Sequence, residues 1–286
     1  MNLLPTANKN GGSKMVLLAP SAAGVGERLA HVETNSAQHE KLLGEMQRLR
    51  GEVYLEDGAI TRAQLTSDGR HKVAIDDRSW HVLTLDDNGR VSGCSRYTMH
   101  PGGARFGQLE LFKSAMASCS KFGKLLRTAV ESEMALARSS RLAYVELGGW
   151  ALSPALRCTT EALKVALATY SLGGLLGGCI GVSTVTVRNH SSSILRRIGG
   201  GSLRVGDQVL PRYYDPNYDC DMEILRFDSR SPNAKFQHWI ESIREMMVDM
   251  PVICATGDSR KINEAVSMLP MVYNPAMLPQ ALPLSA

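Results

Sequence analysis

The chain has 286 residues, of which 44% are hydrophobic and 21% charged, as in an ordinary globular protein with a sizeable core. The net charge of +4 is too small to indicate a nucleic-acid-binding protein, although it permits an acidic partner. No apolar run reaches the ~18 residues of a membrane span, and the six cysteines contain no Cys-x-x-Cys pair. We therefore expect reduced thiols, with neither disulfides nor a metal site.

The first 33 residues are rich in Gly, Ser, Ala and Asn and predict a loosely ordered N-terminal segment. The apolar stretch at 15–20 is too short for the hydrophobic region of a signal peptide, which favours a cytoplasmic protein of bacterial type. We expect one domain over residues 34–256, followed by an extended, proline-containing tail over residues 257–286.

Three features stand out in the first half. Apolar residues at three- and four-residue spacing predict a helix over 34–55 that carries Arg48 and Arg50 toward its C-terminal end. Short strands at 79–85 and 91–97, joined by Asp87-Asn88-Gly89, predict a β-hairpin. Residues 109–116 and 121–137 have helical periodicity. Basic residues here form either a solvated face or a docking patch for an acidic partner: Lys113, Lys121, Lys124 and Arg127.

A strand–helix–strand pattern follows. Residues 143–152 form an apolar strand, 161–176 a helix capped by Thr159 or Thr160, and 180–187 a β-branched strand. The pattern predicts a parallel pair with a right-handed crossover. Backbone N–H groups of 156–160 would then lie at the positive end of the helix, where phosphate binds readily, although a crossover without a ligand has the same pattern.

The last third predicts a strand at 203–211 with Gly206-Asp207 as a turn, a strand at 220–228, a helix over 232–247 and a short strand within 251–256. A tyrosine-rich loop precedes the second of these strands. Its tyrosines either line a substrate pocket or pack the loop: Tyr213, Tyr214 and Tyr218.

This order of elements resembles the GNAT superfamily of acyl-CoA N-acyltransferases over roughly residues 40–228. Arg157 and Ala162 match the ends of the family's pyrophosphate loop, Arg/Gln-x-x-Gly-x-Gly/Ala, and Thr160 stands where its central Gly is expected. Asn189 and Gly199 match a later Asn that opens a helix closing on Gly. The resemblance implies an α/β (α+β) fold, a GNAT-like mixed central sheet with helices on both faces. It places an acyl-CoA or acyl-carrier-protein donor along these residues: Gly149, Trp150, Ala151, Leu152, Arg157, Cys158, Thr159, Thr160 and Asn189.

The first third of the chain is similar to acyl-homoserine-lactone synthases and N-acyl amino acid synthases, which are GNAT-fold enzymes that take a fatty acyl group from acyl carrier protein or CoA. The similarity lies in a helix bearing Arg, an Asp pair, a strand, and a strand reading Gly-Cys-x-Arg. It implies a site lined by these residues: Arg50 (alternatively Arg48), Asp77 (alternatively Asp76), Arg96 and Glu146. The lactone synthases have an Arg three residues after the Glu, where this chain has Gly149. The similarity therefore favours a broader amine acyltransferase over one specific for a homoserine-derived substrate.

In this fold the fourth and fifth strands splay apart and free backbone N–H groups to hold a thioester carbonyl. Gly148-Gly149-Trp150 lies at that point and permits a bulge, although close strand packing also explains the glycines. Glu146 is the carboxylate on this strand. Apolar surroundings would raise its pKa and suit a general base, or the residue is a buried partner of a cation such as Arg96.

We predict an N-acyltransferase that moves an acyl group of medium or long chain from CoA or acyl carrier protein to the amine of an amino acid or similar molecule. The alternatives are a short-chain acetyl-CoA-dependent N-acetyltransferase and an inert acyl-CoA-binding module. The basic face of residues 109–137 would dock the carrier protein. The residues assigned to catalysis are Glu146 and Arg96, and those assigned to the acceptor are Arg50, Asp77, Tyr213 and Tyr214.

Overall fold

The computed structural model describes residues 14–22, 25 and 28–256. In chain order the strands are β1 (Lys14–Leu18), β2 (Val32–Thr34), β3 (Trp80–Leu85), β4 (Val91–His100), β5 (Ala143–Leu152), β6 (Cys179–Thr186), β7 (Gly201–Ser202), β8 (Arg204–Val205), β9 (Gln208–Val209), β10 (Tyr213–Asp215), β11 (Cys220–Asp228) and β12 (Val252–Cys254). The α-helices are α1 (Ser36–Glu56), α2 (Ala115–Ser118), α3 (Gly123–Ser139), α4 (Glu161–Leu175), α5 (Ser191–Ile198) and α6 (Ala234–Val248). Short 3-10 turns cover Arg62–Gln64, Ala74–Arg78, Phe106–Gln108, Glu110–Lys113 and Pro154–Leu156.

Ten of the described strands form one mixed sheet in the order β10-β11-β6-β5-β4-β3-β1-β12-β2, with β7 paired to β11. Because successive side chains of a strand point to opposite faces, each face has its own core. Helices α4 and α6 pack on the face that presents Val82 and Val145. Helices α1 and α3 pack on the opposite face, over Leu83 and Tyr144 respectively. The predicted fold, a mixed central sheet with helices on both faces, is confirmed.

Local signals located the central strands well. The predicted hairpin is β3–β4, and its turn is held by the Asp86 carboxylate, which accepts hydrogen bonds from the N–H groups of Asn88 and Arg90, both at 2.9 Å. The predicted strand–helix–strand unit is β5–α4–β6, with β5 and β6 parallel. Strand β5 has the predicted bounds.

Two expectations are wrong. The segment 1–33 is not loosely ordered throughout, because Lys14–Leu18 forms β1, which pairs with β3 and β12 and buries Leu17 and Leu18 completely. Residues 109–116 do not form a helix but a 3-10 turn followed by the short α2. Residues 1–13 and the predicted tail 257–286 lie outside the described residues, and the domain limits at 34 and 256 stay predictions. In the described part of the chain, no helix combines the length and apolar character that crossing a bilayer requires.

The contact between β5 and β6 generates a stability prediction. A Cβ at Gly181 would overlap the carbonyl oxygen and side chain of Val145 on β5. Since backbone atoms cannot move aside cheaply, Gly181→Ala should lower the free energy of unfolding by about 1–3 kcal/mol in urea titrations. Gly102→Ala is the control, because a Cβ there meets nothing within 4 Å. Equal losses in both variants would contradict the prediction.

Candidate active site

The sheet opens between β5 and β6. Their parallel pairing runs from Ala143–Cys179 to Leu147–Ser183 and stops there. Strand β5 continues to Leu152 while paired only with β4, and β6 continues to Thr186 while paired with β11. We call the gap between β5 residues 148–152 and β6 residues 184–186 the cleft. Among the described residues, no strand pairs with the β5 edge along the cleft, so the backbone of this edge is available to a ligand.

A bulge lies where the cleft begins. Arg96 of β4 pairs with Gly148 and Cys94 pairs with Ala151, so one extra residue of β5 is accommodated between them. Gly149 has φ = +61°, and a Cβ on it would lie 3.1 Å from Cβ of Arg96. Only glycine takes this conformation at this distance without strain. The predicted role of these glycines in a bulge is confirmed.

Polar side chains cross the sheet on the α1 side of this bulge. Arg96, Thr98 and His100 alternate along β4 and stand opposite Gly148, Glu146 and Tyr144 of β5. Thr98 and His100 are buried. Such a buried polar row is unusual for a sheet core and marks the face on which binding groups converge.

A buried ion pair anchors one end of the row. Arg50 of α1 binds Asp76 twice, with Nη2–Oδ2 at 2.6 Å and Nη1–Oδ1 at 2.8 Å, and each side chain is only 1% exposed. Arg96 Nη1 lies 3.4 Å from Asp76 Oδ1. The predicted site residues Arg50 and Arg96 therefore meet, and we call this group the Arg50–Asp76–Arg96 cluster.

Of the two aspartates proposed for the site, Asp76 is the one present, and the assignment to Asp77 is wrong. The 3-10 turn Ala74–Arg78 points Asp76 inward, whereas Asp77 is exposed and reaches only Ser21 Oγ, at 3.5 Å. The alternative Arg48 likewise faces outward and pairs with Asp68. Consecutive residues of a tight turn point in different directions, and the sequence did not show which aspartate is buried.

The cluster has more positive than negative charge. Burial alone would raise the pKa of Asp76, but Arg50 and other cations lower it to about 2, so it is ionised at neutral pH. Burial, together with the charge of the nearby arginines, lowers the pKa of His71 and of His81 to about 4, so both are neutral. Two guanidinium groups thus face one carboxylate.

Several buried polar atoms of this region have no hydrogen-bond partner among the described residues. They are Arg50 Nε, Arg96 Nε, His71 Nδ1 and His81 Nδ1. The two arginine Nε–H groups are buried donors, which are normally satisfied, and together with the excess positive charge they fit an anionic ligand group such as a carboxylate.

Glu146 lies on the polar row, but its carboxylate is fully engaged. His100 Nε2, the Glu110 N–H and the Leu111 N–H each lie 2.8 Å from its oxygens. Burial raises its pKa, but these three donors outweigh burial and leave the pKa below the ordinary value. The expected rise in pKa is therefore wrong. The contacts favour the alternative, a buried ion-pair partner, with His100 in place of Arg96.

The structure places Tyr213 and Tyr214, the two tyrosines assigned to the acceptor, away from the cluster, while several residues without a sequence assignment lie beside it. Tyr214 is 56% exposed and donates to Asp219, and Tyr213 packs against the core beneath α3. Tyr218 is the tyrosine close enough to Arg50 and Arg96 for their charges to act on its hydroxyl. Members not assigned from the sequence are Gln47, Tyr54, His71 and His81. Gln47 lies one helical turn before Arg50, which is the only sequence signal we find for any of them.

The predicted donor loop leads into α4 as expected. Thr159 Oγ1 accepts a hydrogen bond from the Glu161 N–H at 3.1 Å, while Thr160 occupies the cap position without a side-chain bond. Cys158 is exposed with φ = +58°. The first-turn N–H groups of α4 therefore lie beside the cleft, in the position that favours a phosphate.

Asn189 does not open its helix. Helix α5 begins at Ser191 with His190 as its cap, and the Asn189 amide instead donates to Asp57 at 3.0 Å. Within the described residues, no group of His, Cys, Asp and Glu is arranged to hold a metal ion.

The contacts of Glu146 predict a pH-dependent loss of stability. Glu146→Gln replaces the buried carboxylate that accepts hydrogen bonds from His100, Glu110 and Leu111, and it should lower the free energy of unfolding by about 1–3 kcal/mol at pH 7. Because the folded pKa lies below the unfolded one, the carboxylate stabilises the fold above about pH 4, and this contribution fades as the pH falls further. Urea unfolding at pH 7 and pH 3 should show the difference shrinking.

Glu110→Gln is the matched control, since this neighbouring side chain pairs with Lys113 near the surface and should change stability by less than about 0.5 kcal/mol. A Glu146→Gln protein as stable as the wild type at pH 7 would rule out the ion-pair role.

No protein-family model matches the sequence, and no curated protein matches it either. Solved structures do match. The CoA-dependent acyl-homoserine lactone synthase BjaI, with SAM and isopentyl-CoA, has a TM-score of 0.52 and 15% identity, covering 89% of this chain and 99% of that chain. The CoA-dependent acyl-homoserine lactone synthase MesI has a TM-score of 0.50 and 18% identity, covering 85% and 100%. The chain therefore has the GNAT-like fold of the acyl-homoserine lactone synthases, as its sequence resemblance predicted.

Proposed function

We propose that this protein is an N-acyltransferase that moves an acyl group from a pantetheine thioester to the amine of an amino acid or similar small molecule. One observation carries the proposal. The open edge of β5 and its glycine bulge lie directly beside the buried Arg50–Asp76–Arg96 cluster. A thioester in the cleft and an anionic acceptor at the cluster would thus meet at Gly149.

The geometry of the cleft supports the proposed binding of the acyl donor. Backbone N–H groups of the bulge would polarise the thioester carbonyl, and the start of α4 would take a phosphate of the donor. The structure of BjaI includes isopentyl-CoA, an alkyl thioether of CoA that has the same pantetheine arm as an acyl donor. Acyl-CoA and acyl carrier protein share the pantetheine arm, so this geometry suits either donor.

The Arg50–Asp76–Arg96 cluster supports the proposed binding of the acceptor. Arg96 is 14% exposed and has one long contact with Asp76, so its guanidinium is available to a carboxylate. An acceptor held there would place its amine near Gly149. The net positive charge of the cluster also disfavours an ammonium group, which helps the amine reach its neutral, nucleophilic form.

The reaction needs no covalent enzyme intermediate. The neutral amine attacks the thioester carbon and forms the N–C bond, the C–S bond breaks, and the departing thiolate takes up a proton equivalent to the one the amine releases. The role of Glu146 as base stays a prediction, and its three donors favour positioning the 110–111 segment instead.

The proposal includes acyl carrier protein as a possible acyl donor beside acyl-CoA. Lys121 and Arg127 lie over the rings of Phe122 and Phe106, and Phe112 is 44% exposed beside them. A basic surface with an exposed aromatic ring suits an acidic carrier protein. The medium or long acyl chain, and the cytoplasmic, bacterial setting, stay predictions.

The second candidate is a short-chain acetyl-CoA-dependent acetyltransferase. Thr160, in place of the central glycine of the family's pyrophosphate loop, argues against it because a side chain hinders close approach of a diphosphate to the backbone. An inert binding module is the third.

Arg96→Gln tests the acceptor site. Losing a charged hydrogen bond should raise KM for an amino acid about tenfold or more, with little effect on the matching amine that lacks a carboxylate. Steady-state kinetics with both acceptors measure this. Arg48→Gln is the control, since Arg48 is a surface arginine of the same helix as Arg50. Equal effects of Arg96→Gln on both acceptors would contradict carboxylate recognition.

The function is tested by expressing the protein in bacteria and examining its bound small molecules and a lipid extract of the culture by mass spectrometry. We expect an N-acylated amino acid of medium or long chain, in smaller amount in a culture making the Arg96→Gln variant. Bound acetyl-CoA without a new lipid would establish the short-chain alternative. If neither a product nor a bound thioester is detected, the inert binding module is the remaining candidate.

A further inference from the structure

The C-terminal end of α1 contacts both loops that flank the cleft. Glu56 Oε2 lies 2.6 Å from Nη2 of Arg157, in the loop after β5. From the loop after β6, the Asn189 amide donates to the Asp57 carboxylate at 3.0 Å, and Arg188 donates to the Asp57 carbonyl. These partners are separated from α1 by 101 to 132 residues of sequence. We call Glu56 and Asp57 the acidic latch.

The latch concentrates negative charge at the mouth of the cleft. Two carboxylates lie at the C-terminal end of a 21-residue helix, where the helix dipole is also negative. The opposing loops provide two arginines and an amide. The arrangement is thus complementary in charge without any ligand.

The contacts of the acidic latch are weak enough for a ligand to replace them. The side chains of Arg157 and Glu56 are 35% and 58% exposed, and an ion pair in such surroundings contributes little to stability. A phosphate is a stronger partner for an arginine than one exposed carboxylate, because it has more charge and more acceptor oxygens.

We propose that the acidic latch competes with the phosphate groups of the acyl donor for Arg157, Arg188 and Asn189. The inference rests on the proposed function, which brings a pantetheine thioester into this cleft. A donor bearing a diphosphate must release these groups from α1 and then lie beside two carboxylates. The latch therefore lowers affinity for CoA while leaving pantetheine, which has no phosphate, unaffected.

Arg188 connects the latch to the acceptor side. A side-chain nitrogen of Arg188 also lies 3.4 Å from the carbonyl oxygen of Tyr218. Burial raises the pKa of the Tyr218 hydroxyl, and the charges of Arg96 and Arg50 act in the opposite direction. A donor phosphate that withdraws Arg188 from α1 would thus act on the loop lining the acceptor cluster.

Isothermal titration calorimetry of the full chain with CoA and with pantetheine tests the proposal. The double variant Glu56→Gln/Asp57→Asn should bind CoA about tenfold more tightly than the wild type, since Glu56 no longer holds Arg157 and neither carboxylate repels the phosphates. Its affinity for pantetheine should not change. The gain for CoA should decrease as the salt concentration rises.

Glu52→Gln is the matched control, because it removes an exposed carboxylate of the same helix one turn earlier. It should leave CoA affinity within about twofold of wild type. If the wild type binds CoA and the double variant binds it equally or less tightly, the latch proposal is overturned while the proposed function stands. If no protein binds either ligand, the proposed donor site fails, and the latch proposal with it.

Discussion

The site depends on one buried ion pair. Arg50 is among the largest fully buried side chains, and moving a charge out of water costs several kcal/mol unless a partner compensates. Asp76 provides that partner through two hydrogen bonds. It also draws in Arg96 from β4, while its backbone carbonyl accepts from His81 of β3. A helix, a 3-10 turn and two strands are thereby held at one point, since none can move without exposing an unpaired charge.

The β5 strand connects this point to the cleft. Its first half pairs on both sides, and its second half pairs only with β4, so one strand is both core and open edge. Gly149 makes the change possible because its backbone takes a left-handed conformation close to Arg96. The same glycine lies 3.5 Å, measured from its would-be Cβ, from Nη1 of Arg50. A side chain here would disturb both the cluster and the strand edge.

Helix α1 joins the two halves of the proposed reaction. Its middle supplies Arg50 to the acceptor cluster, and its last turn reaches the loops beside the cleft. Gln47, Arg50 and Glu56 therefore lie on one helix, although their partners come from distant parts of the chain.

Patterns within short stretches of the sequence predict the local elements correctly. The bounds of β5, the β3–β4 hairpin and its Asp-Asn-Gly turn, the β5–α4–β6 crossover and the bulge glycines all follow from patterns within a few residues. The family resemblance also predicted Arg50 and Arg96 as site residues, and the structure brings the two together at Asp76. These features depend on backbone propensity and alternation, which neighbouring residues encode.

Which side chains meet depends on how distant segments pack together. Packing also settled the orientation of the aspartate turn. It buried Asp76 and exposed Asp77, because the orientation of a turn depends on what packs against it. It gave Glu146 three donors and a lowered pKa in place of the apolar surroundings that the strand suggested. It also joined Glu56 to Arg157 and built β1 into the sheet. Partners that lie tens to more than a hundred residues apart are selected by sheet register and packing, which no local pattern records.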